Sequence, residues 1–407
     1  MGQRHPYLIF GPAMNTFAMG EELTRLLSEE LPGAVALRHE LHAAPELSHH
    51  EMATRERVIS AIDAEATMVA GKSLLFSAEA EARPVVVLRA EMDGLPIQED
   101  TNVSWTSRGR VMHACGHDVH MAGLVAAMRA VRRLEPALPV AATALFQHSE
   151  ESYPSGAKEV VQAGALEGVA AVIGCHVHPD LPWGWVAADP GAVNAAADFF
   201  RVKVRGTAGH TAYPHEARDA ISSLCQIVTS VQVVAAHSIN PLHGHVVSFG
   251  YIRGGEAPNA FPASAEAGGS LRALDLEDRK TLRSLIEQVA TDIAHAWGCD
   301  AEMELVSGEP ALFNDPRLAA AARHRLPMVG LRTGKEMRSC GSDDFGFFSE
   351  AAPTLMMFLG VGGALLGPQV PLHHPGFLPN DDVVGAIAKA YLAGLVGASD
   401  VCGDKPA

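Results

Sequence analysis

The sequence predicts an α/β protein: a mostly parallel sheet with helices on both faces, interrupted by a second, smaller domain of strands and helices. Three observations carry this. The 407 residues suffice for two or three domains. Apolar runs ending in acids or histidines alternate with helical stretches towards both ends of the chain, as buried parallel strands and their crossover helices do. Between them the order changes to β-α-β-β-α-β, the ferredoxin-like pattern.

Residues 20–65 read as mostly helical, with LHAAPELSHHE (41–51) as a polar break. In RPVVVLRAEMDG (83–94), a buried run from Val85 to Leu88 ends in acids and a glycine, as a strand delivering carboxylates at its C-terminal end would. Residues 119–134 form a helix rich in Ala, Met and Leu. PVAATALFQHSEES (139–152) is a second apolar strand, AAVIGCHVHP (170–179) a third and TLMMFLG (354–360) a fourth, with 380–398 as a closing helix. In the middle, DFFRVKVRG (198–206) alternates with Phe200, Val202 and Val204 on one face. Helices over 218–236 and 276–297 and strands over 245–255, 264–274 and 301–306 complete the insertion. The expected domains are therefore 1–193 with 309–407, and 194–308. In parallel sheets of this kind the ligand site lies beyond the carboxyl ends of the strands.

Composition narrows the function. Hydrophobic residues make up 48% and charged residues 19%, so the chain is expected to fold around a core. Against 31 Lys and Arg stand 47 Asp and Glu, a net charge of −16, which would repel phosphate backbones and anionic lipid. Nucleic acid and membrane are therefore not expected as partners. No run of 18 apolar residues predicts a transmembrane helix, and MGQRHPYLIFGPAMNTF lacks the hydrophobic region of a secretory signal. The six cysteines are scattered, with no CxxC pair, which points to a reducing cytoplasm. Histidine is the unusual count, at 20.

Several of those histidines cluster with other ligand types. MHACGHDVHMA (112–122) packs His113, Cys115, His117, Asp118 and His120 at the opening of a helix, and thiolate, imidazole and carboxylate are ligands for zinc or manganese. Glu150-Glu151 follows a strand; a metal would relieve the repulsion of one carboxylate and leave the other to carry protons. His176 and His178 share a face of an extended segment. Asp93 follows Glu91 at a strand end and is placed to orient a ligand imidazole. Of His373-His374, either could ligate. In the insertion, His210, Asn259 and Arg272 offer a neutral donor, an amide and a guanidinium suited to an oxyanion and a substrate carboxylate. Solvated surface positions explain those three equally well. CGSDDFGFF (340–348), with Gly341, reads either as a turn bordering the pocket or as a capped helix start.

From about Leu41 to Asp382 the motifs LHAAPELSHHE, LRAEMDGLPI, MHACGHDVH, FQHSEE, HVHP, GTAGHTAYPHEARDAI, GGEAPNAFP, CGSDDF and LHHPGF resemble, in order and spacing, the zinc-peptidase-type amidohydrolases. That family includes hippurate hydrolases, indole-3-acetyl-amino-acid hydrolases and N-acyl-amino-acid aminoacylases. The resemblance implies two divalent metal ions (Zn, Mn, Co or Ni) on Cys115, His117, Glu151, His176 and His373, with the thiolate bridging. It implies Glu150 as general base, Asp93 behind the ligands and His210 as an oxyanion donor from an inserted lid that dimerises. Asn259, Arg272 and Gly341 then belong to the substrate side. The activity implied is hydrolysis of an N-acyl amino acid. A dipeptidase or carboxypeptidase using the same site is the alternative, and a cysteine hydrolase built on Cys115 is a remoter one. Where the family usually has Pro-Ala before the paired glutamates, this chain has His148-Ser149. That change reads as a tolerated loop, a further ligand or a pocket donor.

Overall fold

The computed structural model describes residues 16–62, 64–77 and 83–402, which form two compact units. The first 15 residues, which hold most of the stretch read as lacking a secretory signal, lie outside them. The first unit comprises the described residues up to Gly191 together with Asn314–Met337 and Phe347 onwards; the second is Ala192–Phe313 with Arg338–Gly346.

In the first unit a seven-stranded sheet runs in the order Thr67–Val69, Ser73–Phe76, Ala141–Gln147, Val85–Glu91, Val169–Pro182, Thr354–Gly362, Val186–Ala187. The four central strands are parallel and the flanking ones antiparallel. Every residue of Ala141–Gln147 is buried, as a strand covered on both faces requires. Helices Thr16–Ala43, His117–Arg132 and Asp382–Cys402 pack on one another, and the last two also pack on the sheet. Tyr391 on the closing helix is fully buried and donates its hydroxyl to the Arg89 carbonyl at 2.6 Å, satisfying its one polar atom.

The third strand is longer than its apolar run suggests. His176 lies inside Val169–Pro182, which continues three residues past the expected 170–179. The parallel register still sets it level with the finish of its neighbours, because Arg89 pairs with Gly174 and Glu91 with Gln147.

In the second unit the sheet order is His245–Gly254, Ser264–Ala273, Ala196–Arg205, Asp300–Ser307, all antiparallel. Phe200, Val202 and Val204 face a core shared with helices Ala220–Ser238 and Leu276–Ala296. Each helix opens on an aspartate whose side chain accepts two backbone N–H groups: Asp219 from Ile221 and Ser222, Asp275 from Glu277 and Asp278. Residues 338–346, expected with the first domain, group with this unit. The reason is local: the Ala195 amide donates to the Ser339 and Gly341 carbonyls, and Arg272 to the Cys340 carbonyl.

Two helices, Ala220–Ser238 and Asp382–Cys402, have the length and apolarity to cross a bilayer. Neither is an unbroken apolar run, since polar or charged residues interrupt both. Asp382–Cys402 is mostly buried in the first core, and Ala220–Ser238 buries one face in the second.

Candidate metal centre

The helix His117–Arg132 begins on Gly116, whose φ of +88° is easy only for glycine, and a Cβ there would lie 2.6 Å from Val177. This turn lets Cys115 and His117 enter one cluster from either side of the helix start. Cys115 Sγ lies 3.3 Å from His176 Nε2, and the ligand atoms of Cys115, His117 and His176 all lie within 4.8 Å of one another. Cys115, Glu151 and His373 satisfy the same limit. Cys115 therefore belongs to both triads. His373 Nε2 is 3.3 Å from Glu151 Oε1, and its backbone N–H donates to the Ala114 carbonyl at 2.9 Å. Of the adjacent pair, His373 joins the cluster, whereas His374 caps its own turn by accepting the Gly376 amide. Of the strand pair, His176 joins; His178 packs edge-on to Phe358.

Glu150 Oε2 and Glu151 Oε1 each lie 3.9 Å from His117 Nε2. Asp93 sits behind them. His117 Nδ1 donates to the Asp93 backbone carbonyl at 2.8 Å, and the Asp93 carboxylate accepts from Ser48 Oγ at 2.6 Å and from the Glu151 amide at 3.0 Å. Asp93 thus holds the His117 ring directly and the Glu151 backbone through its amide.

Two atoms test whether a cation fits. His117 Nε2 is buried with no hydrogen-bond partner in the protein, Glu151 Oε1 is buried with the His373 ring as its neighbour at 3.3 Å, and both belong to the cluster. Buried polar atoms left in this state are costly unless something outside the chain satisfies them. The charges agree. Burial disfavours a charged His117, yet Asp93, Glu91 and Glu151 outweigh it and raise its pKa to about 10. Burial raises the pKa of Asp93, but His117, Ser48 and the Glu151 amide hold it at about 2. Burial pushes the Cys115 thiol well up, and the Glu151 and Glu150 charges push it further. Burial and then His120 keep His176 neutral. The protein holds an excess of negative charge here that a dication would balance, and neutral imidazole, thiolate and carboxylate are its ordinary ligands.

Two supports were not assigned roles from the sequence. His120 accepts the Val177 amide at 3.0 Å and pairs with Glu91 Oε2 at 3.0 Å, and Arg89 hydrogen-bonds Glu91 from the other side. This chain fixes the strand that carries His176. The signal was available: His120 falls three residues after His117, on the same helix face.

The second support joins Asp118 to His42 at 3.0 Å and to Arg38 at 3.1 Å, with Glu99 on the far side of His42 at 3.0 Å. Burial disfavours the His42 cation, but Asp118 and then Glu99 raise its pKa from 6.5 to about 9. At roughly 1.36 kcal/mol per pH unit, that rise is worth about 3 kcal/mol. This contribution is complete below the unfolded pKa of 6.5 and disappears as the pH climbs through about 9. Thermal midpoints of the metal-loaded protein are expected to fall across that window, and His42→Asn to remove most of the fall. An undiminished fall in the variant would refute the assignment.

The lid candidates belong to the second unit. His210 is exposed on the short strand Gly209–His210, paired with Ala260, the residue after Asn259; the Asn259 carbonyl accepts the Thr211 amide at 3.2 Å. Arg272 donates to the Cys340 carbonyl at 3.1 Å and to Ser342 Oγ at 3.4 Å, so it braces the loop that holds Gly341. In the same loop the Asp343 carboxylate accepts the Phe345 amide just before the helix Gly346–Ala351. That is the capped helix start.

Residues 87–393 match the sequence profile of peptidase family M20/M25/M40. The chain belongs to that family. N-acetylcysteine deacetylase of Bacillus subtilis is 31% identical over 368 residues, covering 89% of this chain and 95% of the relative. N-acyl-L-amino acid amidohydrolase of Geobacillus stearothermophilus is 35% identical over 307 residues, covering 73% and 83%. Among solved structures, a dinuclear metal-binding M20 peptidase of B. subtilis superposes with a TM-score of 0.80 at 28% identity, covering 91% of this chain and 98% of that one.

Proposed function

We propose that this M20 protein hydrolyses the amide bond of N-acyl amino acids, using two divalent metal ions held by Cys115, His117, Glu151, His176 and His373. The observation that carries the reading is Cys115 shared between two ligand triads, His117 with His176 and Glu151 with His373, beside a further carboxylate, Glu150. The relatives named as a deacetylase and an amidohydrolase support the bond type. The dinuclear structural neighbour supports two ions rather than one.

When bound, the ions would supply Lewis acidity to the amide carbonyl and acidify a water. The chain's own residues do the rest. Glu150 takes the proton of the attacking water on its carboxylate and returns it to the departing nitrogen. Asp93 holds the His117 ring and the Glu151 backbone, so the ligands keep their orientation through the cycle. His210 supplies a neutral donor for the oxyanion, and Asn259, Arg272 and Gly341 form the substrate side. The second unit acts as a lid and joins two copies of the chain. The scattered cysteines, free among the described residues, support a cytoplasmic setting.

A cysteine-nucleophile mechanism is disfavoured. Reactive cysteines sit where the thiolate is stabilised, and Cys115 is buried among carboxylates that raise its pKa.

Amino-acid release from N-acetyl, N-benzoyl, indole-acetyl and long-chain acyl amino acids tests the reading. Release is expected to stop on chelation and to return with manganese or zinc. Release that persists without metal would overturn it. Release only from dipeptides with a free α-amine would move the assignment to a peptidase.

A further inference from the structure

The loop that delivers Glu150 is held by a set of side-chain hydrogen bonds. Ser149, the residue before Glu150, has a φ of +48°, a left-handed conformation that costs a non-glycine residue about 1 kcal/mol. Its polar groups are all engaged. Its amide donates to Glu51 Oε1 at 2.8 Å, its carbonyl accepts the Gly156 amide at 2.9 Å, and its hydroxyl meets His49 Nε2 at 2.8 Å. Lys72 Nζ stands 2.9 Å from His49 Nδ1. A protonated lysine can only donate, so His49 carries its proton on Nε2 and gives it to Ser149. His148 is buried beside them. Ser73 Oγ lies 2.7 Å from its Nδ1, and its Nε2 lies 2.8 Å from Glu159 Oε2. A Cβ on Gly156 would come within 1.7 Å of the His148 carbonyl, so the helix carrying Glu159 closes directly onto this loop.

His49, His148 and Glu159 also offer three ligand atoms within 4.8 Å of one another. A cation there would have to displace hydrogen bonds that already occupy every ring nitrogen, so the network acts as a clamp. We propose that His148 and Ser149, gripped by Glu159 and by the Lys72–His49 pair, are positioning residues that hold Glu150 in its proton-transfer orientation. The clamp rests on the reading of Glu150 as general base. It is distinct from the metal ligands, because neither His148 nor Ser149 joins the two triads centred on Cys115.

Ser149→Gly separates positioning from folding. Glycine adopts the left-handed backbone without cost but cannot accept from His49. In this variant and in His148→Ala, kcat is expected to fall tenfold or more, with KM within twofold, bound metal unchanged and, for Ser149→Gly, no loss in thermal midpoint. Ser149→Asn, which tolerates the same backbone and restores an acceptor, is expected to recover most of kcat. Amide hydrogen exchange reads the clamp independently of any substrate: the Ser149 and Glu151 amides should exchange slowly in the native enzyme and markedly faster in Ser149→Gly. Native kcat in Ser149→Gly, a loss of kcat that tracks loss of metal, or unprotected amides in the native enzyme would each overturn the clamp. Slow exchange in a native enzyme that turns over no N-acyl amino acid would support the clamp and count against the activity.

Discussion

Glu150→Gln is expected to lower kcat by about 10²–10⁴-fold, the range a positioned general base contributes. The amide has nearly the size of the carboxylate, so packing survives, but it cannot take a proton from water or hold one for the amine. Glu150 groups with His117 and Glu151 but lies outside both triads that share Cys115; because it acts as the base and not as a ligand, its replacement should leave the metals bound. KM should change little. The measurement is steady-state kinetics together with metal content per chain. A variant within a few-fold of native turnover would remove Glu150 from the mechanism. A variant that loses metal would make it a ligand instead.

Cys115→Ala should damage metal binding as well as turnover, because it takes one residue from each triad at once. Both ions should dissociate under mild chelation. If the Lewis acid is worth about 4 kcal/mol, turnover falls roughly a thousandfold. Cys115→Asp keeps an anion able to bridge and should restore part of the activity. It should also move metal preference away from soft ions, since carboxylate suits harder ones such as manganese. Metal titration of the three proteins by calorimetry, followed by kinetics on each, tests this. Native metal affinity in Cys115→Ala would show that the two triads are not the binding sites.

Much of the candidate site was legible because its residues stand in short motifs at strand ends. Cys115 and His117 straddle a glycine turn, Glu150 and Glu151 follow Ala141–Gln147, and His373 carries a turn after the last strand. What spacing alone left open was the choice between neighbours, which the family resemblance gave to His176 and His373. In the structure His176 reaches Cys115 and His373 reaches Glu151. The supports were harder still. The Asp118–His42–Glu99 chain joins residues up to 76 positions apart, and no local pattern announces such a pairing. Short elements escaped too. Thr67–Val69, Ser73–Phe76 and Val186–Ala187 are flanking strands of two to four residues, too brief for a period to register.

By itself the sequence determined the class of fold, the order of its elements and the residue types that gather at the carboxyl ends of the central strands. Those properties are local: apolar runs, alternation, caps and turn glycines act within a few residues of where they are written. Only the tertiary structure decided that Asp118 pairs with His42 and Arg38, that Arg272 braces a loop of its own unit, and that His148 and Ser149 form a buried clamp rather than a loose loop. These depend on segments far apart in the chain meeting with ångström accuracy, which the packing of the whole core sets and no single stretch encodes.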